Sequence, residues 1–167
     1  MSLTVKISTP IFQTLSDLKD QYGFNELGLA VSGGSDSLAM LYICNDWALE
    51  KKVKLHCVTV DHKLRPESLK EAELVAGHCD RLGIQHEVVE WKREKELIGN
   101  LSDLARTARY ELIDKWRKKL SFVLVGHTQN DQIETFFMNL KRGSGIEGLK
   151  GMPFSLKRPE GYYILRP

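Results

Sequence analysis

The 167-residue sequence predicts an α/β fold, a parallel sheet of about five strands with helices on both faces. Two observations predict it. Short apolar runs alternate along the chain with longer stretches whose apolar residues recur at helical spacing. The first apolar run, Leu27-Gly28-Leu29-Ala30-Val31, passes directly into a turn of glycines and hydroxyls and then into a helix start.

The elements follow in order. Pro10 to Tyr22 reads as a short amphipathic helix, with Ile11, Leu15 and Leu18 on its apolar side, ending near Gly23. The first strand comes next, and the helix after its turn runs to about Lys51; Val53 to Val60 is the second strand. Pro66 opens a helix carrying Ala72, Val75, Ala76, Cys79 and Leu82, stopped by Gly83. Ile84 to Glu90 is the third strand. Leu101, Leu104, Ala105, Ala108, Leu112 and Trp116 mark a helix from about residue 101 to 119. Phe122 to Gly126 is the fourth strand, and Thr128 starts another helix. There are no repeats or low-complexity stretches. Residues 1–26 read as a helical lead-in and 27–167 as the α/β domain.

In such Rossmann-like folds ligands sit beyond the carboxyl ends of the strands, where the strand order reverses. The turn after strand one, Asp61-His62 after strand two and His127 after strand four all fall on that edge.

Composition sets outer limits. The chain is 42% hydrophobic, enough for one domain with a core, and no run approaches the ~18 apolar residues of a membrane span. Met1-Ser2-Leu3-Thr4 lacks a basic stretch followed by an apolar one, which argues against a secretory signal. Cys44, Cys57 and Cys79 are widely spaced and form no Cys-x-x-Cys, so they read as buried reduced thiols of a cytoplasmic protein. The net charge of +2 is unevenly spread: residues 141–167 hold six Lys/Arg against two Asp/Glu, and the rest is slightly acidic. That basic end suits either phosphates or a solvated loop.

The turn Ser32-Gly33-Gly34-Ser35-Asp36-Ser37 has the makings of a phosphate site. Glycines let the backbone close on an anion, and the helix N-terminus directs N–H groups and a favourable dipole at it. Ser35 or Asp36 as an ordinary N-cap is the plain alternative, but capping alone does not ask for three serines and an aspartate in six residues. No Gly-x-x-x-x-Gly-Lys-Ser/Thr occurs.

A second constellation lies in Gly126-His127-Thr128-Gln129-Asn130-Asp131-Gln132-Ile133-Glu134-Thr135. On a helix His127, Asp131 and Glu134 share one face. An imidazole and two carboxylates beside a phosphate loop suit Mg²⁺ held through oxygen ligands, with His127 an anion contact or proton carrier. Thr128 with Asp131 also fits a helix cap. Gly143-Ser144-Gly145-Ile146-Glu147-Gly148 spells Gly-x-Gly-x-x-Gly but follows a helical stripe, which excludes a dinucleotide fingerprint and leaves a linker or a substrate-facing loop. Arg109, on the fourth predicted helix, either reaches phosphates or is solvated.

Ser32 to Ser37 resembles the PP-loop, Ser-Gly-Gly-x-Asp-Ser, of the ATP pyrophosphatases, which release pyrophosphate and transfer AMP to a substrate oxygen. Val60 to Ser68, Leu82-Gly83-Ile84, Asn100 with Ala105 to Tyr110, Gly126 to Thr135, and Arg142 to Met152 extend the likeness. From roughly residue 27 to 167 the chain is similar to the tRNA(Ile)-lysidine synthetase family. Asn130 departs from it, standing where the family usually has Asp.

The resemblance implies a ligase using ATP and Mg²⁺. It would adenylate the C2 oxygen of the wobble cytidine of tRNA(Ile) with a CAU anticodon, and the amino group of free L-lysine would then displace AMP. It also implies roles. Ser32, Gly33, Gly34, Ser35, Asp36 and Ser37 hold the ATP phosphates, and Asp36 and Asp131 hold the metal. Asp131 and Glu134 serve the metal or the lysine ammonium, His127 and Arg109 line the site, and Asp61 and His62 border the adenosine. Family members continue past a point equivalent to Pro167 into segments that grip tRNA. Another PP-loop enzyme, amide-forming or tRNA-thiolating, and a nucleotide-binding fragment without turnover remain as alternatives. The sequence leaves the oligomeric state open, a homodimer included.

Overall fold

The computed structural model describes residues 10–64, 68–92, 101–126 and 155–165. Among these are four helices, α1 (Pro10–Tyr22), α2 (Ser35–Lys51), α3 (Ser68–Leu82) and α4 (Leu101–Trp116), and six strands. The strands are β1 (Glu26–Ala30), β2 (Lys54–Asp61), β3 (Gln85–Glu90), β4 (Phe122–Val125), β5 (Ser155–Lys157) and β6 (Tyr163–Leu165). They form one sheet in the order β3-β2-β1-β4-β6-β5.

The pleat sorts each strand's side chains onto two faces. Leu27, Leu29, Leu55, Cys57, Phe122 and Leu124 pack with Leu15 of α1, Leu41 and Trp47 of α2, and Val75 and Cys79 of α3. Val58, Val123, Val125 and Ile164 point the other way, onto Tyr110, Ile113 and Trp116 of α4. β4 is buried along its whole length, as a strand covered on both faces must be.

The placement of the helices follows from handedness. β1–α2–β2 and β2–α3–β3 step outward in one direction with parallel pairing, and β3–α4–β4 steps back across β1. Right-handed crossovers put helices of opposite stepping direction on opposite faces, so α4 stands alone against α1–α3. The reversal falls between β1 and β4.

The predicted α/β sheet is thus present, with one strand more than the five expected and one of them antiparallel. β6 runs parallel to β4, while β5 pairs with it antiparallel as a hairpin. The hairpin is clamped to α4. Arg158 ion-pairs with Asp114 at 2.7 Å, Tyr162 donates its hydroxyl to the same carboxylate, and Arg117 donates to the Glu160 carbonyl at 2.6 Å. Arg158 of the basic C-terminal segment is therefore spent on an internal carboxylate. The fourth helix stops at Trp116 instead of 119, because Lys118 turns left-handed at φ 52° to feed β4.

The lead-in helix α1 packs on α2 and sends Leu15 into the core. Cys44, Cys57 and Cys79 are free and buried. Burial pushes the Cys44 thiol up to about 12, and the hydrogen bond with the Cys79 thiol, then burial, raises Cys57 as well. No helix of the described residues is long and apolar enough to cross a membrane.

Candidate functional site

Pairing of β1 ends at Ala30, opposite Val58 and Val125. The chain then turns through Ser32 to Gly34 into α2. Gly33 sits at φ 88°, a conformation that side chains rarely take, and an added methyl there would lie 3.1 Å from the Glu71 carbonyl and Cβ. The loop is pressed against α3 at this point. Gly34 differs: it is extended (φ −69°, ψ 157°), and a methyl on it would meet only the Ser32 hydroxyl, at 3.7 Å. Its open side faces away from the protein.

Gly34 is also the N-cap of α2, and no side chain closes that cap. Capping by Ser35 or Asp36 is therefore not what these residues do; both are exposed in the first turn. Ser37 is turned inward and is only 5% exposed. Its hydroxyl donates to the Gly34 carbonyl at 2.9 Å. With its single proton committed, it accepts from the Ser32 N–H (3.3 Å) and the Ser32 hydroxyl (3.2 Å). Ser37 thus braces the loop from within, while Ser32, Ser35 and Asp36 stand at its mouth.

Asp61, the last residue of β2, is buried. Its carboxylate accepts the Lys63 N–H at 2.7 Å and its carbonyl accepts the Trp91 N–H at 2.8 Å, so it shapes the turn that presents His62. The His62 ring lies edge-on to Trp91, and its Nε2 accepts from Arg109 Nε at 3.4 Å. Burial, and next the Arg109 charge, push His62 down to about 4 against the opposing pull of Asp61. His62 is thus neutral near neutral pH. With Nε2 accepting, its proton rests on Nδ1, which has no hydrogen-bond partner among the described residues.

A cleft of about 250 Å³ joins these parts, lined by Val31 and Ser32 from the exit of β1, Thr59 from β2 and His62 just past its end, Arg109 from α4 and Gly126 from the exit of β4. It lies at the β1–β4 reversal, where α/β sheets take ligands. A larger cleft of about 310 Å³ opens at the opposite edge, between the end of α4 and the first residues of β2 and β3. Size favours that one, but it has neither glycine loop nor helix N-terminus, so we assign the site to the smaller.

Ser32 to Ser37, Asp61 and His62 are therefore gathered at one edge, as read from the sequence, and the structure brings Arg109 of α4 to them through His62. His127, Asp131, Glu134 and the glycine segment 143–148 lie outside the described residues. Sequence patterning does not single out Thr59, Glu71 or Trp91. Thr59 reads as an ordinary strand residue, and the other two become relevant only through contacts distant in sequence.

The loop without a lysine, set at the strand-order reversal ahead of an uncapped helix, defines a class. The chain belongs to the PP-loop domain family, which it matches over residues 6–167. Its relatives are those the motifs pointed to. It is 38% identical over 161 residues to the tRNA(Ile)-lysidine synthase of Wolbachia pipientis wMel, covering 94% of this chain and 37% of that one. It is 43% identical over 163 residues to the tRNA(Ile)-lysidine synthase of Hyphomonas neptunium (92% and 42% covered), and 47% identical over 129 residues to that of Brucella ovis (74% and 29% covered). The chain thus spans between 29% and 42% of the length of these three curated relatives. A solved structure, the U34-tRNA thiolase NcsA from Methanococcus maripaludis with its 4Fe-4S cluster, superposes with a TM-score of 0.70 at 22% identity, covering 94% of this chain and 58% of that one. At that identity the likeness speaks to the fold alone.

Proposed function

We propose that this chain is the ATP-binding, adenylating part of a tRNA(Ile)-lysidine synthase. The observation that carries the reading is the cap of α2. Gly34 leaves the helix N-terminus without a side-chain partner beside a loop held open by Gly33 and Ser37, at the mouth of the β1–β4 cleft. Backbone N–H groups and the helix dipole there suit the pyrophosphate of ATP.

On this reading the loop amides and the hydroxyl of Ser35 hold the β- and γ-phosphates, while the Ser32 hydroxyl stays donated to Ser37. The C2 oxygen of the wobble cytidine attacks the α-phosphorus, the bond to the pyrophosphate breaks, and the loop retains the leaving group. The amino group of free lysine then attacks C2, a proton is lost from nitrogen, and AMP departs with the former C2 oxygen. Arg109 offsets negative charge that builds up in the cleft. His62 stays neutral, accepting from Arg109 and fixing the orientation of that side chain. His127, Asp131 and Glu134 are proposed for the metal, the lysine ammonium and proton transfer.

The residues at the loop fit Mg²⁺. An exposed carboxylate, Asp36, stands one residue into the helix beside the phosphate position, and Mg²⁺ takes few protein ligands when phosphates supply the rest. Bound there, the ion would neutralise phosphate charge. Among the described residues no group of three or more His, Cys, Asp or Glu forms a fuller metal site, so Asp131 is proposed as the second carboxylate. A thiolating reading has less support, since Cys44, Cys57 and Cys79 are buried in the core on the α1–α3 face. The proposed substrates go with the cytoplasmic location read from the sequence. Mass analysis of the anticodon loop of a reacted tRNA tests the reading: lysine joined to the wobble cytidine supports it, and an unmodified or sulfur-bearing base refutes it.

A further inference from the structure

The peptide joining Val31 to Ser32 is the last before the loop, and both of its polar ends are held by hydroxyls. Its N–H, on Ser32, donates to Ser37 Oγ at 3.3 Å; its carbonyl, on Val31, accepts from Thr59 Oγ1 at 2.9 Å. Val31 and Thr59 are 2% and 3% exposed, so water does not replace the second bond, and a buried carbonyl without a partner is costly. Thr59 has one proton. Because that proton goes to Val31, the 2.9 Å contact between Thr59 Oγ1 and His86 Nε2 is one in which the imidazole donates. His86 therefore carries its hydrogen on Nε2. A hydroxyl that receives a hydrogen bond is a stronger donor in turn. The chain of bonds runs from β3 through β2 to the exit of β1. Ladder pairing alone does not reach this peptide's carbonyl end, since the β1 register stops at Ala30.

We propose that Thr59 and His86 are positioning residues that set the plane of the Val31–Ser32 peptide, and through it the aim of the Gly33 and Gly34 amides at bound phosphate. The proposal rests on the reading that this loop holds the phosphates of ATP. Thr59 lines the cleft, but its single proton is held by the Val31 carbonyl, so both residues act on the phosphates through the peptide. If the peptide rotates, the amides that follow turn with it, and the loss falls on phosphate recognition and not on the nucleoside.

Calorimetric titration of the full chain with ATP, inorganic pyrophosphate and adenosine tests this. Thr59→Val keeps the shape and removes the hydroxyl; ATP and pyrophosphate are expected to bind about tenfold more weakly, the worth of one hydrogen bond, and adenosine is expected to lose much less. Thr59→Ser restores the hydroxyl and is expected to restore affinity. His86→Leu, on a half-buried position, is expected to weaken both phosphate ligands by about threefold, and it decides the matter if Thr59→Val does not fold. Wild-type affinity for ATP in a folded Thr59→Val or His86→Leu chain overturns the proposal, as does an equal loss for adenosine. Failure of the parent chain to bind ATP at all is a different result: it overturns the phosphate reading of the loop, and the relay with it.

Discussion

Gly126 lies directly against Ser37: a methyl group added at Gly126 would come within 3.1 Å of the Ser37 Cα and 3.2 Å of its Cβ. The exit of β4, which lines the cleft, and the first turn of α2 are thus in contact. Backbone cannot swing aside as a long side chain can. Gly126→Ala is therefore expected to push the start of α2 outward, cost about 1–3 kcal/mol of stability, and weaken ATP binding. Thermal unfolding and ATP titration measure both. A variant that melts and binds like the parent would show that the contact relaxes freely.

The two loop glycines should fail in different ways. Gly33→Ala meets a left-handed backbone and the Glu71 carbonyl, so a loss of stability of about 1–3 kcal/mol is expected. Gly34 is extended and open, so Gly34→Val should fold normally and lose ATP binding because its side chain fills the anion's approach. Unchanged ATP affinity in folded Gly34→Val would place the phosphates elsewhere.

His62 gives a pH signature. Its folded pKa is lowered to about 4 from 6.5, so between those values the unfolded chain takes up a proton that the folded chain refuses. The stability associated with neutral His62 is present above pH 6.5 and is lost as pH falls toward about 4. Other groups titrate in the same range, so the difference between parent and His62→Gln isolates this one. Denaturant unfolding across that window should show the parent losing more stability on acidification than the variant. Parallel curves would mean that His62 titrates normally.

The hairpin clamp predicts a stability effect distant from the cleft. Asp114 accepts from both Arg158 and Tyr162. Asp114→Ala leaves both donors without it, and a loss of about 2–4 kcal/mol is expected in urea unfolding. A loss under about 0.5 kcal/mol, typical of surface sites, would show that β5–β6 is held by β4 pairing alone.

Local signals made part of this architecture legible. The first four strands, the four helices and the glycine loop announce themselves through periodicity and turn chemistry within a few residues. β5 and β6 do not: Ser155-Leu156-Lys157 and Tyr163-Ile164-Leu165 are too short to display a period, and they gain their partners from β4 and from Asp114 on α4. The site shows the same division. Gly33 and Gly34 are adjacent and readable, yet which one carries the positive φ depends on Glu71 of α3. Arg109 and His62 are 47 positions apart, and only the crossover of α4 to the other face of the sheet brings them together. The inward turn of Ser37, against the outward exposure of Ser35, is likewise a matter of packing against Gly126.

The central claim, that the loop grips the pyrophosphate of ATP while AMP goes to a tRNA oxygen, is tested most directly by the products of the reaction. The chain is incubated with α-labelled ATP, Mg²⁺, tRNA(Ile) bearing a CAU anticodon and lysine, and the labelled nucleotide is separated over time. Labelled AMP that accumulates with tRNA and lysine together, in amounts matching pyrophosphate and lysine-bearing tRNA, is the predicted result. Labelled ADP, or AMP formed equally well without tRNA, would contradict it.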